Sequence, residues 1–192
     1  SDKITENELS KKSFVENQIP LHTLKNIGVI NGPGSYTGLR IGVSAAKGIC
    51  FPLNIPLIAL DTMHILARKI ECSEGYIVPA IDARRDEIYF AMFQSTNCKI
   101  PELKVKTDTM ILSSDSFSNY YETSTVNFVG DCNKKIMQYL NHENIFFSDY
   151  ILPSANEMGI LSHSKYVKEQ FVNVAEFQPK YLKDFGAKKI NN

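Results

Sequence analysis

The run Gly32-Pro33-Gly34-Ser35-Tyr36-Thr37-Gly38-Leu39-Arg40-Ile41-Gly42 contains the residue types that could grip an anion. Its glycines let a ligand approach the backbone, Ser35 and Thr37 supply hydroxyls, and Arg40 supplies a cation. It follows the apolar Ile27-Gly28-Val29-Ile30 and precedes a small-residue segment reaching Phe51. Strand, glycine turn and helix N-terminus in that order make either a phosphate cradle or a tight packing corner. Gly32, Gly34, Ser35, Thr37 and Arg40 are therefore the candidate phosphate contacts, with capping of the helix as the plainer role for the two hydroxyls. The run is not G-x-x-x-x-G-K-[ST], and G-P-G does not fit G-x-G-x-x-G, so neither familiar nucleotide fingerprint is present.

A second concentration of charge lies in Asp82-Ala83-Arg84-Arg85-Asp86. Asp82 and Arg84 are the candidate cleft-facing pair, a carboxylate and a base able to meet a partner or a nucleotide, while Arg85 reads as a solvated turn residue. Nucleophilic catalysis has little to work with. There is no G-x-S-x-G elbow, and Ser35 has no recognisable base partner. His22, His64, His142 and His163 are dispersed, and Cys50, Cys72, Cys98 and Cys132 contain no C-x-x-C pair, so no metal site is predicted and the thiols read as reduced and mostly buried.

The elements that must hold these residues follow from periodicity and punctuation. The 192 residues are 43% hydrophobic and 22% charged with formal net charge +0, an ordinary globular composition that excludes nucleic-acid binding through a strong overall field. No apolar run reaches the ~20 residues of a membrane span and no charged-then-apolar start resembles a signal peptide, so a cytoplasmic protein without a membrane partner is expected. A polar helix is expected over residues 1–18. The strand near 27–31, a helix from Tyr36 to Phe51 and a strand over 57–60 form a βαβ unit. Asp61 should cap a helix over 63–71. Strands are predicted over 76–81, 87–93, 104–109 and 126–129, the first two joined by the Asp82–Asp86 turn. Asp131 should cap a helix to about Leu140, and Ser154-Ala155-Asn156-Glu157 reads as a capping box opening a helix to about Lys168. Pro179-Lys180-Tyr181-Leu182 reads as extended. Two α/β lobes result, over residues 1–72 and 73–192.

Gly34, Gly38, Gly42 and Ala46 recur every fourth residue and would line one groove of the Tyr36–Phe51 helix. Each helical glycine costs about 1 kcal/mol relative to Ala, which implies that something packs closely there. The expected partner-facing set is Gly38, Leu39, Gly42, Val43, Ala46, Lys47 and Cys50.

The glycine run closely resembles the signature of the bacterial TsaB (YeaZ) family. Ile55-Pro56-Leu57-Ile58 with Asp61-Thr62, Pro79-Ala80-Ile81-Asp82-Ala83-Arg84-Arg85 with Glu87-Ile88-Tyr89, Val129-Gly130-Asp131 and Pro179-Lys180-Tyr181-Leu182 are similar to further family segments in the same order. The resemblance implies an α/β fold of the actin-like ATPase superfamily (ribonuclease H-like) with two lobes, and a non-catalytic scaffold role in making threonylcarbamoyladenosine in tRNA. It implies a TsaD-like catalytic subunit and a TsaE-like ATPase as partners, a homodimer as the alternative use of the docking helices, and only indirect contact with tRNA. No tightly bound cofactor is expected, with ATP or ADP at a subunit junction as the one nucleotide role it leaves. The family begins with a strand hairpin that this chain lacks, so the first lobe is expected to be incomplete, with an exposed sheet edge. TsaD carries an H-x-x-x-H pair, and no two histidines here have that spacing. An actin-like small-molecule phosphotransferase using ATP is the competing reading.

Overall fold

The computed structural model describes residues 20–71, 74–96, 101–150 and 152–182. The opening helix expected over residues 1–18, Cys72, Cys98 and residues 183–192 lie outside them.

The chain builds two sheets. β1 (Ile27–Gly32) and β2 (Leu57–Asp61) pair in parallel, with Ile27 opposite Leu57 and Ile30 opposite Leu60. The helix α1 (Tyr36–Leu53) connects them, so the expected βαβ unit is present. α1 runs two residues beyond the expected stop at Phe51, carrying Pro52 in its last turn. It ends at Asn54, whose left-handed backbone (φ 50°) turns its N–H onto the carbonyls of Cys50 and Phe51. Asp61 then caps α2 (Thr62–Ala67), accepting from the N–H groups of Met63 at 2.8 Å and His64 at 3.4 Å. α2 is one turn shorter than the expected helix to Glu71.

The second sheet has the order β5-β4-β3-β6-β7. β3 (Glu74–Asp82), β4 (Glu87–Thr96) and β5 (Glu102–Ile111) form an antiparallel meander, and β6 (Val126–Val129) and β7 (Ile145–Phe147) add in parallel on the other side of β3. β7 has only three half-exposed residues, too short a run to show alternation in sequence. Pro79 has no N–H for the β3/β4 ladder, and the antiparallel pairing resumes beyond it at Ala80 opposite Phe90. One face of this sheet buries Val78, Phe90, Met92 and Phe128 under α3 (Ser118–Tyr121), α4 (Asn133–Ile136) and their loops. Phe90, Phe117, Phe128 and Phe147 follow one another at ring separations of 5.4, 5.3 and 5.5 Å. Such pairs add about 0.5–1.5 kcal/mol each beyond their burial. The other face buries Ile77, Ala91 and Phe93 against Met63, Leu66 and Ala67 of α2, which joins the sheets.

Two local expectations are corrected. Asp131 does not cap a helix; its carboxylate accepts the N–H of Asp82 at 2.9 Å, and α4 is a single turn whose N-cap Cys132 makes no side-chain cap bond. Ser154 precedes α5 (Ala155–Val167) as expected but its side chain accepts no backbone N–H; its hydroxyl bonds the Glu157 carboxylate, which also pairs with Lys69 at 3.4 Å. That hydroxyl is the main cause holding Glu157 below the usual carboxylate range.

The division at residue 72/73 does not follow the packing. α5 returns to the first sheet, setting Met158, Leu161 and Tyr166 on Ile58, Leu60 and Ile65. Lys165 donates to the carbonyl of Ala59 at 2.7 Å, and burial pushes its ammonium below the usual lysine range. Beyond α5, Val172 bonds the carbonyl of Leu57, and Val172, Val174 and Phe177 close the core between α1 and β1. Residues 154–182 thus belong to the packing of the first lobe. A period-based reading cannot see that return, because α5 is weakly amphipathic and the segment after it is irregular.

Candidate functional site: an interlobe cleft and an uncovered helix

β1 delivers the glycine turn to the mouth of a cleft of about 680 Å³ between the two sheets. Gly32 adopts φ +117°, and a Cβ there would lie 2.7 Å from the carbonyl oxygen of Lys180, so this position requires glycine both for its backbone and for that close approach. The Lys180 N–H bonds the carbonyl of Asn31 at 2.8 Å, which seats the Pro179–Leu182 segment along β1. The buried Thr62 hydroxyl holds the opposite side of the turn through the carbonyl of Pro33 at 2.7 Å. Ser35 is the N-cap of α1 and accepts from Gly38 N–H at 3.3 Å. Thr37 is exposed in the first turn and makes no cap bond.

Across the cleft stands the β3/β4 turn. Arg84 and Arg85 both have positive φ, 70° and 53°, a conformation that costs a non-glycine residue about 1–2 kcal/mol. Asp82 accepts from the Arg84 N–H at 2.8 Å and is ion-paired with Lys135, which also donates to the carbonyl of Glu87 at 3.2 Å. The Tyr139 hydroxyl bonds Asp86 at 2.9 Å and secures the far side of the turn. The Lys135 hydrogen bond is the largest cause holding Asp82 below the usual carboxylate range. Because the folded value is depressed, this pair contributes stability above the ordinary Asp titration and loses it as pH falls through the folded value. In Lys135→Met the Asp82 carboxyl is expected to titrate at higher pH, moving toward the ordinary value; an unchanged side-chain carboxyl NMR titration would refute the pairing.

The structure therefore brings Gly34, Ser35 and Thr37 to the same cleft as Asp82 and Arg84, with Arg85, Asp131, Lys180 and Tyr181 completing its walls. Among the described residues no histidine or cysteine lines it. Sequence reasoning missed Asp131 and Lys135 as the holders of the turn, since each acts across a sheet on a residue about fifty positions away. Cys50 and Cys132 are buried, and desolvation is the leading cause that raises both thiols. Among the described residues no three His, Cys, Asp or Glu side chains gather as a metal set, and no helix is long and apolar enough to cross a membrane.

The expected partner-facing set splits in two. Leu39, Val43, Ala46 and Cys50 are at most 8% exposed and form the inner stripe of α1. Lys47 is also engaged within the chain, donating to the carbonyls of Ala175 at 2.8 Å and Phe177 at 3.1 Å. These five are engaged within the chain: Val43, Ala46, Cys50 and Lys47 meet the irregular segment after α5, which occupies the position that a partner was expected to fill, and Leu39 lies against the glycine turn. The opposite side of α1 is left uncovered by the described residues. Ile41 is 49% and Phe51 75% exposed, and a Cβ added at Gly42 or Gly48 would meet none of the described residues within 4 Å. Gly38 would place one 3.5 Å from Ser35, an ordinary contact. Among the described residues the outer face thus consists of Gly38, Ile41, Gly42, Ser44, Ala45 and Gly48 flanked by Phe51, and it carries no charge at its centre.

Two α/β lobes facing each other across such a cleft define the actin-like, glycoprotease-type fold, and comparison with known proteins specifies it further. The family described as "TsaD: tRNA N6-adenosine threonylcarbamoyltransferase" matches residues 6–190. The tRNA threonylcarbamoyladenosine biosynthesis protein TsaB of Haemophilus influenzae is 26% identical over 93% of this chain and 83% of its own length. Its counterpart in Bacillus subtilis is 38% identical over 46% of this chain and 38% of its own length. YeaZ from Pseudomonas aeruginosa superposes with a TM-score of 0.77 over 92% of this chain and 83% of that one, at 22% sequence identity, a likeness of fold. The chain belongs to this threonylcarbamoyltransferase-type family, and within it to the TsaB (YeaZ) branch.

Proposed function

We propose that this chain is a non-catalytic partner subunit in the biosynthesis of threonylcarbamoyladenosine in tRNA, and that it works by laying the outer face of α1 against a TsaD-like catalytic subunit. The observation that carries the docking face is the open space at Gly42 and Gly48. Two glycines in a long helix each cost about 1 kcal/mol relative to Ala, and no atom of the described residues approaches closely enough to require them. A second helix packed at backbone distance supplies that requirement, and Ile41 and Phe51 supply apolar area around it. A second copy of the chain and a TsaE-like ATPase are further partners in this reading, and tRNA is reached only through the complex. Size-exclusion chromatography with the cognate transferase tests it: the wild-type chain is expected to co-elute and Gly48→Trp to elute alone.

The cleft supports a positioning role more than a chemical one. Ser35 is engaged in a cap and Asp82 in an ion pair. ATP or ADP at a junction of this chain with its partner belongs to the same proposal. Arg84 and Arg85 face the turn, and Gly34 leaves the N-terminus of α1 open, its missing side chain nearest to Leu39 at 3.9 Å. Calorimetric titration of ADP is expected to show binding with the transferase present and none with this chain alone; binding of equal strength to the isolated chain would move the nucleotide site into this subunit. The comparisons lend no support to a phosphotransferase.

A further inference from the structure

Arg40 stands one turn into α1, at the border between the uncovered face and the cleft. It is exposed, and no acidic side chain among the described residues pairs with it. Its position is nevertheless defined. The guanidinium Nη1 donates to the Tyr36 hydroxyl at 2.5 Å, and its carbon lies 5.3 Å from the centre of the Tyr36 ring. Tyr36 is held in turn by Tyr181, ring centres 4.9 Å apart. Tyr181 arrives there because Lys180 is bonded to Asn31 and seated over Gly32. The C-terminal strap, nearly 150 residues away in sequence, therefore sets the direction of one cation beside α1.

We propose that Tyr181, Tyr36 and Arg40 form a preformed carboxylate receptor at the edge of the α1 docking face, and that its occupant is an Asp or Glu side chain of the catalytic partner protein. The proposal rests on the docking reading above and adds the chemistry of one contact to it. The argument is charge complementarity. An arginine stacked on a tyrosine keeps most of its donors free and has already lost much of its rotamer freedom, so pairing with a planar carboxylate orders little more. The centre of the neighbouring face is uncharged, with Ser44 its one polar side chain among the described residues, so this cation at its rim is placed to set the register of a helix lying across it. Tyr36 and Tyr181 are positioning residues in this scheme and Arg40 makes the contact.

The test compares Arg40→Gln, Arg40→Lys, Arg40→Glu, Tyr181→Phe and Tyr181→Ala for binding to the cognate transferase at several salt concentrations. Arg40→Gln is expected to weaken binding about tenfold and to flatten its salt dependence, and Arg40→Glu to weaken it about a hundredfold. Arg40→Lys keeps the charge and loses the fork, so partial binding is expected. Tyr181→Phe should retain affinity and Tyr181→Ala should lose a few-fold, with far-ultraviolet circular dichroism reporting that each variant is folded. Wild-type affinity in Arg40→Glu would overturn the receptor. If Gly48→Trp abolishes the complex while Arg40→Glu does not, only this inference fails; if neither affects it, the docking reading fails as well. Loss of self-association alone in Arg40→Glu would assign the receptor to a second copy and overturn the proposal as stated.

Discussion

Gly130→Ala is expected to destabilise the chain by about 4 kcal/mol, a large share of the ~5–15 kcal/mol that holds a domain folded. Gly130 follows β6 with φ +133°, a conformation that L side chains rarely adopt. Its missing Cβ would lie 2.0 Å from the carbonyl oxygen of Ala80 and 3.0 Å from its carbon. Those atoms are backbone and cannot rotate away. Ala80 sits in β3, with Phe90 opposite on β4, and β6 pairs with β3 up to Pro79 opposite Val129. Making room for a methyl group means separating β3 from the end of β6, beside the buried Val78, Phe128 and Val129. A urea denaturation midpoint equal to that of the parent chain would refute this account.

The second large effect separates stability from association. Gly48→Trp is expected to abolish co-elution with the transferase while leaving the isolated chain folded, because its side chain would start from a point with no described residue within 4 Å in the free protein and would meet the partner's backbone in the complex. Gly48→Ala is expected to do something different: the helix gains about 1 kcal/mol, which raises the melting temperature by roughly 2–4 °C for a chain of this size. The same pair of substitutions at Gly130 would show no gain, since the space there is already filled by Ala80. Co-elution of the Gly48→Trp chain at wild-type concentrations would remove α1 from the interface. A fall in melting temperature for Gly48→Ala would show that the glycine serves the chain's own fold.

The local elements and the residues that turn the chain are written in short stretches of consecutive residues. β1, α1 and β2 are legible because an apolar run, a capped glycine turn and a second apolar run each carry their own signal within about ten residues. The Asp82–Asp86 turn is legible for the same reason, as is the cap at Asp61. The motif that resembles TsaB is a property of consecutive residues, and it identifies the family before any packing is known. The lobe assignment of residues 154–182, the split of the α1 surface and the grouping of the cleft were decided by tertiary structure.

The reason is the same in each case. A helix with apolar or small residues around most of its circumference says that it is buried on more than one side, but not by what. Leu39, Val43, Ala46 and Cys50 share a stripe with one period, and Gly38, Gly42 and Gly48 lie around the rest of the same cylinder. Only the return of Val172–Phe177 onto that stripe, with Lys47 bonding the carbonyls of Ala175 and Phe177, shows which side is already occupied. Likewise the glycine turn and the arginine turn are each local, but their shared cleft depends on α2 joining the two sheets and on the Lys180 bond to Asn31 closing one wall. The glycine run does two things at once. Gly32 admits the strap that completes the cleft, and the glycines further along α1 leave its outer face low enough for another helix to lie on.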